Sequence, residues 1–128
     1  IDLNQFKEVN DTHGHECGDI LLKTIAIRLK ESVRTNDFVA RLGGDEFTLI
    51  LESIKTKEEA ISVAKNLLNK TEQPILIENC NIIPSISIGI AFYPQDGADA
   101  STLLKSADKA MYHAKHQTIE HFTLCSEL

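Results

Sequence analysis

Two β-prone runs, Phe38 to Leu42 and Asp45 to Leu51, meet at Gly43-Gly44. A hairpin closed by a two-residue type I′ turn needs positive φ at both central positions, which glycine adopts without steric cost. This predicts an antiparallel hairpin with its turn at Gly43-Gly44, and the rest of the chain must provide cover for it. A second hairpin is predicted at Glu78-Asn79, with strands near 75–77 and 81–92 and Pro84 marking an edge or bulge. Helical spacing appears over 18–34, where Ile20, Leu21, Ile25, Leu29 and Val33 oppose Lys23, Arg28, Lys30 and Glu31. It returns over 57–71, with Ala60, Ile61, Val63, Ala64, Leu67 and Leu68, and over 100–116. Ile1-Asp2-Leu3 reads as the end of a strand, and Asn4 as the N-cap of a short helix reaching Val9. The polar stretch Asn10 to His15 reads as a loop, Pro94 to Gly97 as a turn, and 120–124 as a closing strand. The order β, α, α, β, β, α, β, β, α, β defines an α+β domain, a mixed β-sheet layered with helices. With 128 residues and no repeat or linker, it reads as one domain.

Composition narrows the function classes. A formal net charge of −6 argues against a broad nucleic-acid footprint. A nucleotide phosphate would bind only with local help from lysines, backbone N–H groups or a divalent metal. Cys17, Cys80 and Cys125 form no CxxC pair, which fits ordinary thiols in a reducing compartment, the cytoplasm. No apolar run is of membrane-spanning length, so no membrane contact is expected of this domain, while a parent protein could still carry an anchor elsewhere.

The residues with chemical potential are acids and lysines. Asp45 and Glu46 follow the Gly-Gly pair, and adjacent acids on a strand would face opposite ways, so one ion needs a partner from elsewhere. Asp2 offers that partner, near a strand end where it would serve equally well as a capping residue. A calcium loop beginning at Asp2 is excluded, because Phe6 and Lys7 stand where oxygen ligands belong. The five histidines, including the pairs His13/His15 and His113/His116, form no coherent constellation.

Taken in order, several segments resemble one family. Residues 2–15, Asp2-Leu3-Asn4-Gln5-Phe6-Lys7-Glu8-Val9-Asn10-Asp11-Thr12-His13-Gly14-His15, are similar to the DxDxFKxxND-x-x-GH signature of GGDEF domains. Gly18-Asp19 resembles the pair that follows it, and Arg41-Leu42-Gly43-Gly44-Asp45-Glu46-Phe47 resembles the segment that names the family. Ser85 to Ala91 resembles its SIGIA strand, and Ala107 to Lys115 its ADxAxYxAK helix. The resemblance covers essentially residues 1–128 and implies a nucleotidyl-cyclase-like fold, related to ferredoxin-like sheets and polymerase palms. It also implies that the family's first helix and most of its first strand lie upstream of Ile1.

What the resemblance implies about function is specific. The activity is that of a diguanylate cyclase, a nucleotidyltransferase that joins two GTP into cyclic di-GMP as a homodimer and so makes a bacterial signalling molecule. Asp2, the Leu3 carbonyl and Asp45 would ligate Mg²⁺ or Mn²⁺, and Asp45 and Glu46 would be the catalytic acids. Asn10 and Asp19 would read guanine, whose N1–H and N2–H₂ donors suit oxygen acceptors. The bland alternatives are a helix C-cap for Asn10 and a helix N-terminal acid for Asp19. Phe6, Gly43 and Gly44 would contact the nucleotide, and Lys7 and Lys115 its β- and γ-phosphates. Arg34-Thr35-Asn36-Asp37 matches the family's RxxD inhibitory site, with Arg34 and Asp37 binding product.

Two departures stand out. Asn4 occupies a position where the family more often has Asp. Lys115 is followed by His116-Gln117-Thr118-Ile119-Glu120 rather than GRN, which puts Ile119 in place of a phosphate-gripping arginine. Losing one charge-assisted contact costs roughly 1.5–3 kcal/mol of binding. The rival reading is a degenerate domain that senses GTP or receives cyclic di-GMP without turnover. Residues 119–128 resemble a closing strand and a linker toward an EAL domain, so fusion to sensory or EAL domains is expected.

Overall fold

The computed structural model describes residues 1–128 as two compact units, one of Leu3–Ser85 and one of Ile1–Asp2 with Ile86–Leu128. Strand β1 (Asp2–Leu3) contributes one residue to each.

The larger unit contains α1 (Phe6–His13), α2 (His15–Glu31), β2 (Phe38–Gly43), β3 (Glu46–Ile50), α3 (Lys57–Thr71), β4 (Ile75–Ile77) and β5 (Cys80–Ile82). β3 lies between β2, its antiparallel partner, and the Leu3 end of β1. β4 and β5 form a separate two-stranded sheet. The core follows the predicted periodicity in part: Ile20, expected on the apolar face of α2, is 42% exposed, and Val33, Ile61, Val63 and Leu68 are half-buried. Leu21, Ile25 and Leu29 of α2 are buried, as are Phe47 of β3 and Ala60, Ala64 and Leu67 of α3. Each large apolar side chain buried this way contributes about 1.5–3 kcal/mol. α3 starts at Thr56, whose Oγ1 accepts the Glu59 N–H at 3.1 Å. Its far end is held by Arg28 of α2, whose guanidinium donates to the carbonyls of Thr71, Gln73 and Pro74 and so satisfies groups a helix terminus leaves open.

The smaller unit runs β6 (Ile86–Ile90), α4 (Ala100–Gln117), β7 (Phe122–Leu124) and a short 3₁₀ turn (Cys125–Glu127). β6 lies between the Asp2 end of β1 and β7, which is parallel to it with Gly89 opposite Thr123. A parallel pair needs a crossover, and α4 provides it. Ala110 and Ala114 are fully buried, and a Cβ on Gly89 would run into the α4 backbone at Ala107 and Met111. Small residues on both sides therefore let the helix lie directly on the strand.

Four expectations need correction. The segment Asn10 to His13 is helical, because α1 continues until Gly14 (φ 91) closes it with an N–H bond to the Asn10 carbonyl. Polarity misled because α1 buries no residue at all. α2 begins at His15 and ends at Glu31, three residues before each predicted limit. Asn4 does not cap α1; its side chain donates to Ser85 Oγ at 2.8 Å. The long strand predicted over 81–92 is two strands, interrupted at Ile83-Pro84-Ser85 where proline has no N–H to donate. The second hairpin turns at Glu78 (φ 48) and Asn79 (φ 69) as predicted. No helix is long and apolar enough to cross a membrane.

Candidate active site

In the first hairpin the turn is displaced by one residue from its predicted place. Gly43 pairs with Glu46, so the central residues are Gly44 and Asp45. Arg41 pairs with Phe47, which leaves Leu42 as the extra residue of a bulge. Gly44 has φ 51 and Asp45 is not in the positive-φ region, the sign pattern of a II′ rather than a I′ turn. Asp45 thus belongs to the turn and Glu46 is the first residue of β3. The alternation that would turn adjacent acids to opposite faces does not govern this pair. Nothing in the protein crowds a Cβ at Gly43 or Gly44, so what the fold itself requires of them is the backbone angle, 147° at Gly43. The Arg41 Nε–H donates to the Gly44 carbonyl at 2.8 Å and braces the tip. The Leu3 N–H donates to the Asp45 carbonyl at 3.2 Å, tying β1 to this turn.

Asp2 precedes Leu3 and is buried, at 8% exposure. Its Oδ2 accepts from Lys115 Nζ at 2.7 Å, while its Oδ1 is buried with no hydrogen-bond partner. A buried carboxylate oxygen left unpaired costs roughly 1–3 kcal/mol or more. That is the property expected of an oxygen whose normal partner is a cation. Lys115, expected on phosphate, here neutralises half of the Asp2 carboxylate, and α4 holds it there through the close Gly89 contact. No three His, Cys, Asp or Glu side chains gather at one point.

On the helices, Lys7 and Asp19 are exposed and Phe6 and Asn10 half-buried. Asn10 lies within α1 rather than capping it, and Asp19 lies beyond the first turn of α2, where Glu16 is the acid. Neither bland alternative holds for these two residues. The Asn10 Oδ1 is buried without a hydrogen-bond partner, directly over Gly18. Gly18, noted in the sequence only as one half of the Gly18-Asp19 pair, is the residue against which that carboxamide rests.

At the RxxD turn, the Asp37 carboxylate accepts the N–H of Arg34 at 3.0 Å and that of Glu52 at 3.4 Å. The Arg34 side chain is exposed, and both residues line a cavity of about 230 Å³ with Ser32, Val33, Leu51 and Val63. Ile119, in place of the arginine, is 94% exposed.

The fold is α+β with a mixed sheet, a class that its solved neighbours share. The family model described as "Diguanylate cyclase, GGDEF domain" matches residues 1–121, and this chain belongs to the GGDEF family. It is 46% identical over 117 residues to the bifunctional diguanylate cyclase/cyclic di-GMP phosphodiesterase MucR of Pseudomonas aeruginosa, covering 91% of this chain and 17% of that protein. It is 47% identical over 118 residues to the signaling protein YkoW of Bacillus subtilis, covering 91% of this chain and 15% of that one. The crystal structure of the GGDEF domain of TpbB from Pseudomonas aeruginosa superposes with a TM-score of 0.91 at 40% identity, covering 96% of this chain and 77% of that chain. The chain spans under a fifth of the length of MucR and YkoW.

Proposed function

We propose that this chain is the catalytic domain of a diguanylate cyclase that condenses two GTP into cyclic di-GMP and releases pyrophosphate. The observation that carries this reading is the buried, half-paired Asp2 carboxylate, one residue from the Leu3 N–H that binds the Asp45 carbonyl. Asp2, the Leu3 carbonyl and Asp45 are the residues that would hold Mg²⁺ or Mn²⁺. When bound, the ion supplies charge neutralisation at the α-phosphate and makes the 3′-hydroxyl more acidic.

The chain's own groups do the rest. Asn10 and Asp19 accept the donor edge of guanine, with Phe6 packed beside Asn10. Lys7 adds positive charge for the β- and γ-phosphates. Lys115 joins it by exchanging its bond to Asp2 for a phosphate oxygen, and Asp2 would then be available to hold the ion. Gly43 and Gly44 let the backbone approach the nucleotide with no side chain between, and Glu46 is the second catalytic acid. Two copies face each other so that each 3′-hydroxyl meets the other's α-phosphate in line. Arg34 and Asp37 form the inhibitory site for cyclic di-GMP; the two N–H bonds to Asp37 support this reading by fixing the carboxylate before any ligand arrives. The reaction belongs in the cytoplasm, in a parent protein that joins this domain to sensory or EAL domains.

The test is incubation of the protein with GTP and Mg²⁺, with nucleotides resolved by chromatography, alongside Asp45→Ala. Cyclic di-GMP formed only with Asp45 intact is the expected result. No product from a demonstrably dimeric protein refutes the cyclase reading.

A further inference from the structure

Gly18 sits in the second turn of α2 and is buried. A Cβ built there would overlap Asn10 Oδ1, stand 2.9 Å from its Cγ and 3.4 Å from the Phe6 ring. Glycine in a helix interior costs about 1 kcal/mol relative to alanine. That cost is offset here by the room it gives two side chains of α1. α1 buries no residue completely; its Phe6 and Asn10 are half-buried, and both lie against the space at Gly18.

We infer that Gly18 is a positioning residue for base recognition, setting the Asn10 carboxamide where it meets guanine. This rests on the reading above that Asn10 and Asp19 recognise the base. Asn10 Oδ1 is an acceptor, buried and without a partner. Asp19, whose carboxylate only accepts, directly follows the glycine on which that carboxamide rests. Two acceptors select a base edge that presents adjacent donors. Guanine does so through N1–H and N2–H₂; adenine presents an acceptor at N1 beside its one amino donor. A methyl group at position 18 pushes the carboxamide from that place.

The experiment compares the wild type, Gly18→Ala, Asn10→Ala and the double variant. Dissociation constants for GTP and ATP are measured with Mg²⁺ by competition against a fluorescent guanine nucleotide, together with thermal midpoints. The preference for GTP over ATP should fall about tenfold in Gly18→Ala, the worth of one hydrogen bond. The double variant should prefer GTP no less than Asn10→Ala alone, since the added methyl group then has no carboxamide to displace. A wild-type preference in Gly18→Ala, or losses that add in full, overturns the proposal. Should Gly18→Ala fail to fold, recovery of the melt in the double variant supports it and failure to recover overturns it. An Asn10→Ala protein with unchanged preference instead refutes the base-reading assignment, and the proposal with it.

Discussion

Replacing Lys115 by methionine should destabilise the protein more than neutralising the residue it pairs with. The asymmetry comes from burial. The Lys115 side chain is 29% exposed and that of Asp2 11%, and the second Asp2 oxygen already lacks a partner. Stripping the lysine leaves a carboxylate buried with neither oxygen paired. A fully buried pair broken from one side loses about 3–5 kcal/mol. A hydrogen bond to a charged group is worth about 1.5–3 kcal/mol. Exposure of the lysine brings the expected cost toward the lower range, about 2 kcal/mol. Asp2→Asn should cost less, because the freed ammonium can turn to water, and the Asp2→Asn/Lys115→Met double variant should regain most of the loss. Urea denaturation of the four proteins measures this directly. Adding Mg²⁺ supplies a second axis. A cation that binds only the folded state stabilises it by mass action, and Lys115→Met has no resident charge to displace, so its midpoint should rise more with Mg²⁺ than the wild type's. A Lys115→Met protein as stable as the wild type, or one indifferent to Mg²⁺, would refute the assignment of Asp2 as a cation-seeking carboxylate.

Three further outcomes are expected. Gly89→Ala forces a methyl group against the backbone of Ala107 and Met111 and should cost about 1–3 kcal/mol in a denaturant melt, as overpacking does. The N–H of Thr102 donates to the Asp99 side chain at the start of α4 and depresses the Asp99 pKa below its ordinary 3.8. That stabilisation is complete above the unfolded value and is lost as pH falls through the depressed folded one; the gap in melting temperature between wild type and Asp99→Asn should close on acidification below the ordinary value. Arg34→Ala should leave initial GTP turnover intact and abolish its slowing as cyclic di-GMP accumulates, which a progress curve with added product will show.

What the sequence revealed and what it hid divides along contact distance. α3 and most of α2 were legible because their apolar residues recur at helical spacing, and the Glu78-Asn79 turn because both residues tolerate positive φ. The hairpin itself was legible, but its turn was off by one, since the bulge at Leu42 depends on how Phe47 packs rather than on local chemistry. The last turn of α1 was hidden because Asn10-Asp11-Thr12-His13 carries no apolar residue to extend the pattern past Val9. In the candidate site, the acids stood out by residue type, and Asn10 was named through the family resemblance. The Lys115–Asp2 pair spans 113 positions, and the space that Gly18 gives Asn10 exists only once two helices touch. No local pattern encodes either.

The bulge at Leu42 makes the acidic hairpin sensitive to length as well as to composition. Phe47 is 3% exposed and anchors β3 in the core, which sets the phase of Glu46 immediately before it. Leu42 absorbs one residue of mismatch so that Gly44 and Asp45 still fall at the tip. Deleting Leu42 would keep both acids and leave Glu46 beside Phe47, but it would remove the extra residue that brings β2 to the turn in this register. The number of residues in β2 therefore matters to the tip alongside the identity of those at the turn.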